Sequence, residues 1–173
     1  LASRILGFAR NVIINGQFGL SVDTDLYQAA FVIPDWTFFL MAGGYLTITL
    51  VPIIARHLAD DDSGGARRSF SAVFQTVMIL MLSVSAVVML ASGPLTRAFF
   101  PKFADVDVLR LAQMMRITMA SQVFFVAGTF FMAAQYAHRK FLVPTLAPVI
   151  YNLGIIGGGL IGLVLEHQGP EAF

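Results

Sequence analysis

Two arginines near the start of the chain, Arg4 and Arg10, lie in an otherwise apolar segment, where a charged side chain needs a partner or water. On a helix that turns about 100° per residue, Arg10 lies about 240° from Arg4. Gly7, Asn11 and Asn15 fall in the same arc, and most bulky apolar residues lie opposite. A guanidinium binds phosphate oxygens through two parallel hydrogen bonds. This polar stripe therefore predicts a wet cavity that binds a phosphate-bearing ligand.

The alternative interpretation is that both arginines extend to the lipid headgroups from a helix end. Such an arrangement suits Arg4. It suits Arg10 poorly, because Arg10 lies about 9 Å further along the helix axis. We therefore favour an arginine pair that faces a cavity.

Acidic residues and helix breakers follow in the next apolar stretch. Asp25 opens it, and either interacts with the helix dipole or takes part in gating or in pairing with an arginine. Asp35 follows Pro34, and either caps a helix restarted at the proline or faces the cavity. Broken helices at membrane depth tend to line cavities. Pro34, Asp35, Gly43 and Gly44 are therefore the candidate gating or hinge residues.

Signatures of catalysis and of metal binding are missing from the sequence. The chain has no cysteine, and its three histidines are scattered near predicted helix ends. We find no nucleophile elbow, no cluster of metal ligands and no phosphate-binding glycine loop. We therefore predict no catalytic residue, no metal and no cofactor, and a protein that is not an enzyme.

The composition indicates an all-α membrane protein. Hydrophobic residues make up 57% of the chain and charged residues 12%, whereas a soluble domain has roughly 25% charged residues. The mean hydropathy is +0.78. The net charge of +1 gives no sign of a nucleic-acid partner. The chain is too apolar to bury its surface as a soluble fold, so we expect the lipid bilayer to be its solvent.

Apolar runs separated by polar turns predict a polytopic transmembrane helix bundle that occupies residues 1–173 as a single unit and is incomplete at both ends. The predicted helices are approximately 1–18, 22–58, 67–92, 106–137 and 142–165. A span needs about 20 residues, so 22–58 is either one kinked helix or a span broken at the glycines. In the last helix, Gly154, Gly158 and Gly162 recur every fourth residue and predict a helix-packing face.

Basic residues in short loops predict the orientation in the membrane. Successive loops lie alternately on the two sides of the membrane, so their basic residues form two sets. The larger set should be cytoplasmic. That set is Arg56, Arg67, Arg68, Arg139 and Lys140, and the opposing set is Arg97, Lys102 and Arg110.

Short motifs along the whole chain resemble, in order, the MurJ/MviN family of the multidrug/oligosaccharidyl-lipid/polysaccharide exporter superfamily. They are SRILGFAR at residues 3–10, Phe18-Gly19, Thr24-Asp25, AFVIP at 30–34, Val51-Pro52, Arg116-Ile117-Thr118, and RKFLVPTLAPVIYN at 139–152. The last of these is the most specific.

This resemblance implies a two-lobed transporter with a central cationic cavity, of which the chain is most of the first lobe. The family flips lipid II, the undecaprenyl-diphosphate-linked peptidoglycan precursor, across the bacterial cytoplasmic membrane by alternating access. By resemblance, Arg4, Arg10 and Asp25 match substrate-site residues, and Asn11 stands where the family has an acidic residue. Cell-wall synthesis machinery is an expected partner.

The chain also departs from the family, which commonly has a basic pair where Phe38 and Phe39 stand. Three alternatives therefore stay open. The chain could belong to a flippase or exporter of another polyprenyl-linked glycan. It could belong to a drug/cation antiporter of the same superfamily, for which Asp35 is the available deep acidic residue. It could also be a non-transporting scaffold of cell-wall assembly.

Overall fold

The computed structural model describes residues 5–10, 12, 16, 19, 21–43 and 45–167, with the backbone alone for 45–47 and 163–167. Within these residues every regular element is a helix, so the all-α prediction is confirmed. The helices are α1 (residues 5–10), α2 (Val22–Ala42), α3 (Tyr45–Ala59), α4 (Ser63–Leu90), α5 (Ser92–Phe99), α6 (Asp105–Ala137) and α7 (Leu142–His167).

Within the described residues, three helical stretches are long and apolar enough to cross a membrane: Ser63–Leu90, Asp105–Ala137 and Leu142–Gly162. The chain is therefore part of a multi-pass membrane protein, as its composition predicts. The 21-residue helix α2 is not one of these stretches. Its acidic residues, Asp23, Asp25 and Asp35, lower its hydropathy, which is typical of a helix that borders water or protein rather than lipid.

The chain breaks between α2 and α3 at the glycines, as one of the two interpretations of residues 22–58 expected. Helix α2 ends at Ala42, and the Gly43 N–H donates to the Phe39 carbonyl at 3.0 Å. A Cβ at Gly43 would collide with that carbonyl oxygen, so a side chain does not fit here. Gly44 lies outside the described residues. Helix α2 runs without interruption through Pro34, so Asp35 does not cap a restarted helix.

Helix α4 begins at Ser63, inside the segment that the glycines mark as a loop in the sequence. The Asp62 side chain caps it by accepting from the Gly65 N–H at 2.8 Å. A Cβ at Gly65 would collide with Asp62 Oδ2 and would lie 2.6 Å from His57 Nδ1. Because Gly65 has no side chain, the Asp62 carboxylate can cap the helix, which therefore begins before residue 67. The predicted span over 67–92 is divided between α4 and the short α5.

Helices α3 and α6 end in the same cap. The second residue after each helix has a positive φ, 55° at Asp61 and 57° at Arg139. The next N–H bonds back five residues, from Asp62 to the His57 carbonyl at 2.8 Å, and Lys140 makes the equivalent bond at 2.8 Å. This is the Schellman arrangement, which satisfies carbonyls at a helix end. It makes both interhelix turns tight.

The chain divides into two compact units, and the single bundle over 1–173 stays a prediction. The terminal unit combines Leu1–Thr24 with Phe141–Phe173, and the central unit is Asp25–Lys140. In the central unit α3, α4 and α6 pack on one another, and α5 packs on α4 and α6.

Aromatic and aliphatic side chains fill the core between α4 and α6. The Phe130 ring is fully buried and meets the Phe74 ring edge to face, with centroids 5.3 Å apart. The Phe70 ring stacks on Phe74 at 5.7 Å and meets Phe130 at 6.1 Å. Met119 and Val126 continue this core along α6. The contacts set α4 and α6 antiparallel, which fixes the depth of the polar residues described next.

Candidate functional site

The predicted substrate residues fall partly outside the described chain. Arg4 and Asn11 lie outside it, so their roles stay predictions. Arg10 lies in α1 and is half-buried. Asp25 lies in the first turn of α2 and is exposed.

In the terminal unit, the polar stripe of α1 approaches α7 at Gly7. A Cβ at Gly7 would lie 3.9 Å from Asn152 Oδ1. Asn152 is 7% exposed, and its Nδ2 donates to the Pro148 carbonyl at 2.8 Å. Because Arg10 is three residues after Gly7, it lies on a neighbouring part of the same helix face. At Gly7, at least, the polar stripe is turned towards a buried amide rather than towards lipid.

The start of α2 is capped by Ser21, as its sequence indicates. Ser21 Oγ accepts from the Thr24 N–H at 3.3 Å, and Thr24 Oγ1 donates to the Gly19 carbonyl at 3.0 Å. Gly19 has a positive φ of 58°, which glycine adopts readily. Since Ser21 supplies the cap, the exposed carboxylate of Asp25 is not needed for it.

In the central unit, Asp35 is paired with a residue of α6. Its Oδ1 accepts a hydrogen bond from Gln122 Nε2 at 2.9 Å. Asp35 is exposed, whereas Gln122 is 3% exposed. A lipid-facing carboxylate at the centre of a span would cost about 2.5–3.5 kcal/mol. We infer that the exposed side of Asp35 faces water or protein.

A second hydrogen bond joins α2 and α6 one turn away. Pro34 has no N–H, so the carbonyl four residues earlier, that of Ala30, has no helical donor. Thr118 Oγ1 donates to this carbonyl at 2.8 Å. Thr118 and Gln122 are four residues apart and lie on one face of α6. We call these two bonds, Thr118–Ala30 and Gln122–Asp35, the α2–α6 polar contact.

Arg116 is a further polar residue of α6. Its position in the sequence indicates only that it lies near the membrane interface. Its Nε donates to Ser92 Oγ at 2.7 Å and to the Met89 carbonyl at 3.2 Å. Ser92 is fully buried. Arg116 therefore satisfies a carbonyl at the end of α4 and joins the α4–α5 junction to α6. The partners lie 24 and 27 residues away in the chain, so no local pattern reveals them.

An Asp–His–Ser cluster ties α3 to α4. His57 Nδ1 lies 3.1 Å from Asp62 Oδ2, and His57 Nε2 lies 3.2 Å from Ser69 Oγ. Hydrolase triads show the same order of contacts, but their aspartate is buried. The Asp62 side chain is 46% exposed, and its other oxygen caps α4. The cluster is therefore a structural tie at the turn.

The cluster makes folding stability depend on pH. The hydrogen bond from the Gly65 N–H, supported by the contact with His57, lowers the pKa of Asp62 below its ordinary 3.8. A carboxyl with a lowered pKa stabilises the fold above about pH 4, and this contribution is lost as pH falls through the lowered value. We expect Asp62→Asn, which keeps a good N-cap, to flatten this acid dependence. Melting temperatures of the wild type and of Asp62→Asn between pH 3 and 6 measure this acid dependence. If melting temperature falls with pH equally in both proteins, the expectation is contradicted.

The glycine face of α7 has no neighbour within the part of the chain that the structure describes. A Cβ at Gly154, Gly158 or Gly162 would meet no atom within 4 Å. The packing role of these glycines stays a prediction.

The two phenylalanines at the basic-pair positions differ in environment. Phe38 packs against the core, and Phe39 is 64% exposed. Neither can supply a positive charge.

Comparison with known proteins gives a consistent result. The family model described as lipid II flippase MurJ matches residues 14–168. The probable lipid II flippase MurJ of Bdellovibrio bacteriovorus is 28% identical over 160 residues, which cover 90% of this chain and 30% of that protein. The lipid II flippase MurJ of Burkholderia cenocepacia is 29% identical, with 92% and 31% covered. The probable lipid II flippase MurJ of Thermotoga maritima is 29% identical, with 92% and 33% covered.

The chain thus spans about a third of the length of these curated relatives. No solved structure matches it at a significant level.

Proposed function

Because the chain belongs to the lipid II flippase MurJ family, we propose that it is part of a transporter that flips lipid II across the bacterial cytoplasmic membrane by alternating access. It forms part of the first of two lobes. The family match over residues 14–168 is the observation that carries the proposal. In this role the protein is a transporter and not an enzyme, and cell-wall synthesis machinery is its natural partner.

Arg4, Arg10, Asn11 and Asp25 form the proposed substrate site, with the two guanidinium groups binding the diphosphate. Two observations support this site. Arg10 is half-buried rather than extended into solvent. The neighbouring Gly7 faces the buried amide of Asn152, which suits a helix face that borders a polar interior.

Pro34, Asp35, Gly43 and Gly44 form the proposed hinge region of alternating access. Support comes from the break at Gly43 and from the carbonyl that Pro34 leaves without a helical donor. A helix end and an interrupted hydrogen-bond ladder are places where the backbone can bend at low cost.

Lipid II is the favoured substrate, and another polyprenyl-diphosphate-linked glycan is the second candidate. The specific observation for the second is that Phe38 and Phe39 stand where the family resemblance implies a basic pair. Both substrates share the diphosphate, so both require the arginines.

The test is a flipping assay with the intact protein in lipid vesicles that contain labelled lipid II. We expect Arg10→Ala, and Arg4→Ala likewise, to slow flipping about ten- to a hundredfold, because each removes charge-assisted hydrogen bonds to the diphosphate. A second set of vesicles with another diphosphate-linked glycan identifies the preferred saccharide.

Arg97→Ala is the matched control, since it also removes an arginine. Its side chain is 69% exposed and pairs with Asp105 at 3.1 Å, and such surface pairs contribute little. We expect normal flipping in this variant. Normal flipping in Arg4→Ala and Arg10→Ala as well would end the proposal.

A further inference from the structure

Two oxygen atoms of the Asp35–Gln122 pair accept no hydrogen bond within the part of the chain that the structure describes. Asp35 Oδ1 accepts from Gln122 Nε2. The other carboxylate oxygen and the amide oxygen of Gln122 receive no hydrogen bond from any residue that the structure describes. Among the described residues, a carboxylate oxygen and an amide oxygen, both acceptors, are therefore open to a ligand.

Two contacts of α6 fix the depth of this pair. On one side of Gln122, Arg116 bonds to the Met89 carbonyl near the end of α4. On the other side, the Phe130 ring meets Phe74 in the first half of α4. Gln122 lies between Arg116 and Phe130 in α6, so it lies opposite the middle of α4. Since α4 is long and apolar enough to cross a membrane, the pair is at membrane depth.

No basic side chain among the described residues forms an ion pair with Asp35. Two ion pairs of the central unit, His57–Asp62 and Arg97–Asp105, both lie near helix ends. The nearest charged residue of α6, Arg116, is about 9 Å from Gln122 along the axis, and its Nε is bonded to Ser92 and Met89.

The other titratable side chains on the helices of the central unit lie nearer the helix ends. They are Asp25, Tyr27, Arg56, His57, Arg67, Arg68, Arg97, Asp105, Asp107, Arg110 and Tyr136.

We propose that Asp35 and Gln122 form an exchangeable binding site for a small monovalent cation, either a proton or Na⁺. An ionised carboxylate at membrane depth is costly unless water or a cation compensates it. The site offers two oxygen atoms. They can hold one proton, or one small cation whose remaining ligands are water molecules. The proposal rests on the proposed function in one respect: an alternating-access transporter encloses a water-filled cavity, and the exposed side of Asp35 has to border it.

The experiment measures binding to the purified intact protein without substrate. One arm measures binding of ²²Na⁺ at constant pH, with choline as the replacement ion. The other arm follows proton uptake in Na⁺-free, weakly buffered solution with an indicator dye. We expect Asp35→Asn to lose binding at least about tenfold in one arm. Equal binding by wild type and Asp35→Asn in both arms overturns the proposal.

Gln122→Leu distinguishes the two cations and gives a second test that keeps the carboxylate. If Na⁺ binds, loss of the amide oxygen weakens its binding about tenfold. If a proton binds, loss of the amide N–H, which favours the ionised form, moves the titration midpoint to higher pH. No change in either arm removes Gln122 from the site and overturns the proposal.

Thr118→Val is the matched control for the α2–α6 polar contact. It removes the neighbouring bond to the Ala30 carbonyl and leaves both Asp35 and Gln122 in place. We expect unchanged binding in this variant. Binding lost equally in Thr118→Val would show that helix packing, not the carboxylate, sets the affinity, and would overturn the proposal.

Failure of this proposal and failure of the proposed function are distinguishable. If Arg10→Ala stops flipping while Asp35→Asn binds cations normally, the cation site is wrong and the flippase stands. If Asp35→Asn loses cation binding while Arg4→Ala and Arg10→Ala flip normally, the proposed function is wrong and the cation site stands.

Discussion

Replacing Phe130 by alanine should lower the free energy of unfolding by about 3 kcal/mol, the lower end of the range for such core substitutions. Phe130 is fully buried, and its ring meets both Phe70 and Phe74 edge to face. Lipid is as apolar as a protein core, so helix association in a membrane gains little from the hydrophobic effect and depends on packing. The cost therefore comes mainly from the cavity and the lost ring contacts.

Unfolding of the purified intact protein by a denaturing detergent measures this effect. Phe124→Ala is the control on the same helix, because Phe124 is 77% exposed. We expect it to change stability by no more than about 0.5 kcal/mol. Equal losses in the two variants would mean that the aromatic core between α4 and α6 does not stabilise the fold.

The sequence predicts the all-α class because apolar runs of membrane length have few other solutions. In lipid every backbone group needs an internal partner, which favours helices. Helix ends are less predictable. Gly64 and Gly65 indicate a loop by composition, yet they lie in α4, because Asp62 caps the helix and Gly65 leaves room for the cap. Such an effect depends on a three-dimensional contact with His57.

The polar contacts between helices could not be predicted for a related reason. Gln122 and Asp35 are 87 residues apart, and Thr118 and Ala30 are 88 apart. Periodicity shows which face of a helix is polar but not which face of another helix it meets. A polar stripe on the first helix could therefore be proposed from sequence and stays a prediction, whereas the partner of Asp35 could not be proposed at all.

Replacing Thr118 by valine should lower the free energy of unfolding by about 1–2 kcal/mol. Valine keeps the shape of threonine but leaves the Ala30 carbonyl without a donor. Hydrogen bonds between membrane helices average about 0.6 kcal/mol, because the separated helices find other partners. The Ala30 carbonyl lacks a donor in the separated helix too, since Pro34 has no N–H. We therefore expect a loss above that average, measured by the same unfolding titration.

Thr129→Val is the control for this substitution. Thr129 Oγ1 bonds only within its own helix, to the Phe125 carbonyl at 2.9 Å, and is exposed. Its replacement should change stability by less than about 0.5 kcal/mol. A loss as large as that of Thr118→Val would assign the effect to local changes in α6.

A background without the proline, Pro34→Ala, tests whether the Thr118–Ala30 bond matters because Pro34 has no N–H. In Pro34→Ala the new N–H can bond to the Ala30 carbonyl within α2, so the hydroxyl of Thr118 is no longer its only donor. The cost of Thr118→Val should then fall below about 0.5 kcal/mol, and the difference between the two backgrounds is the coupling energy of the pair. If Thr118→Val costs the same with and without Pro34, the hydroxyl does not compensate for the proline. In that case α6 would not be what stabilises the interrupted ladder of α2 at the proposed hinge.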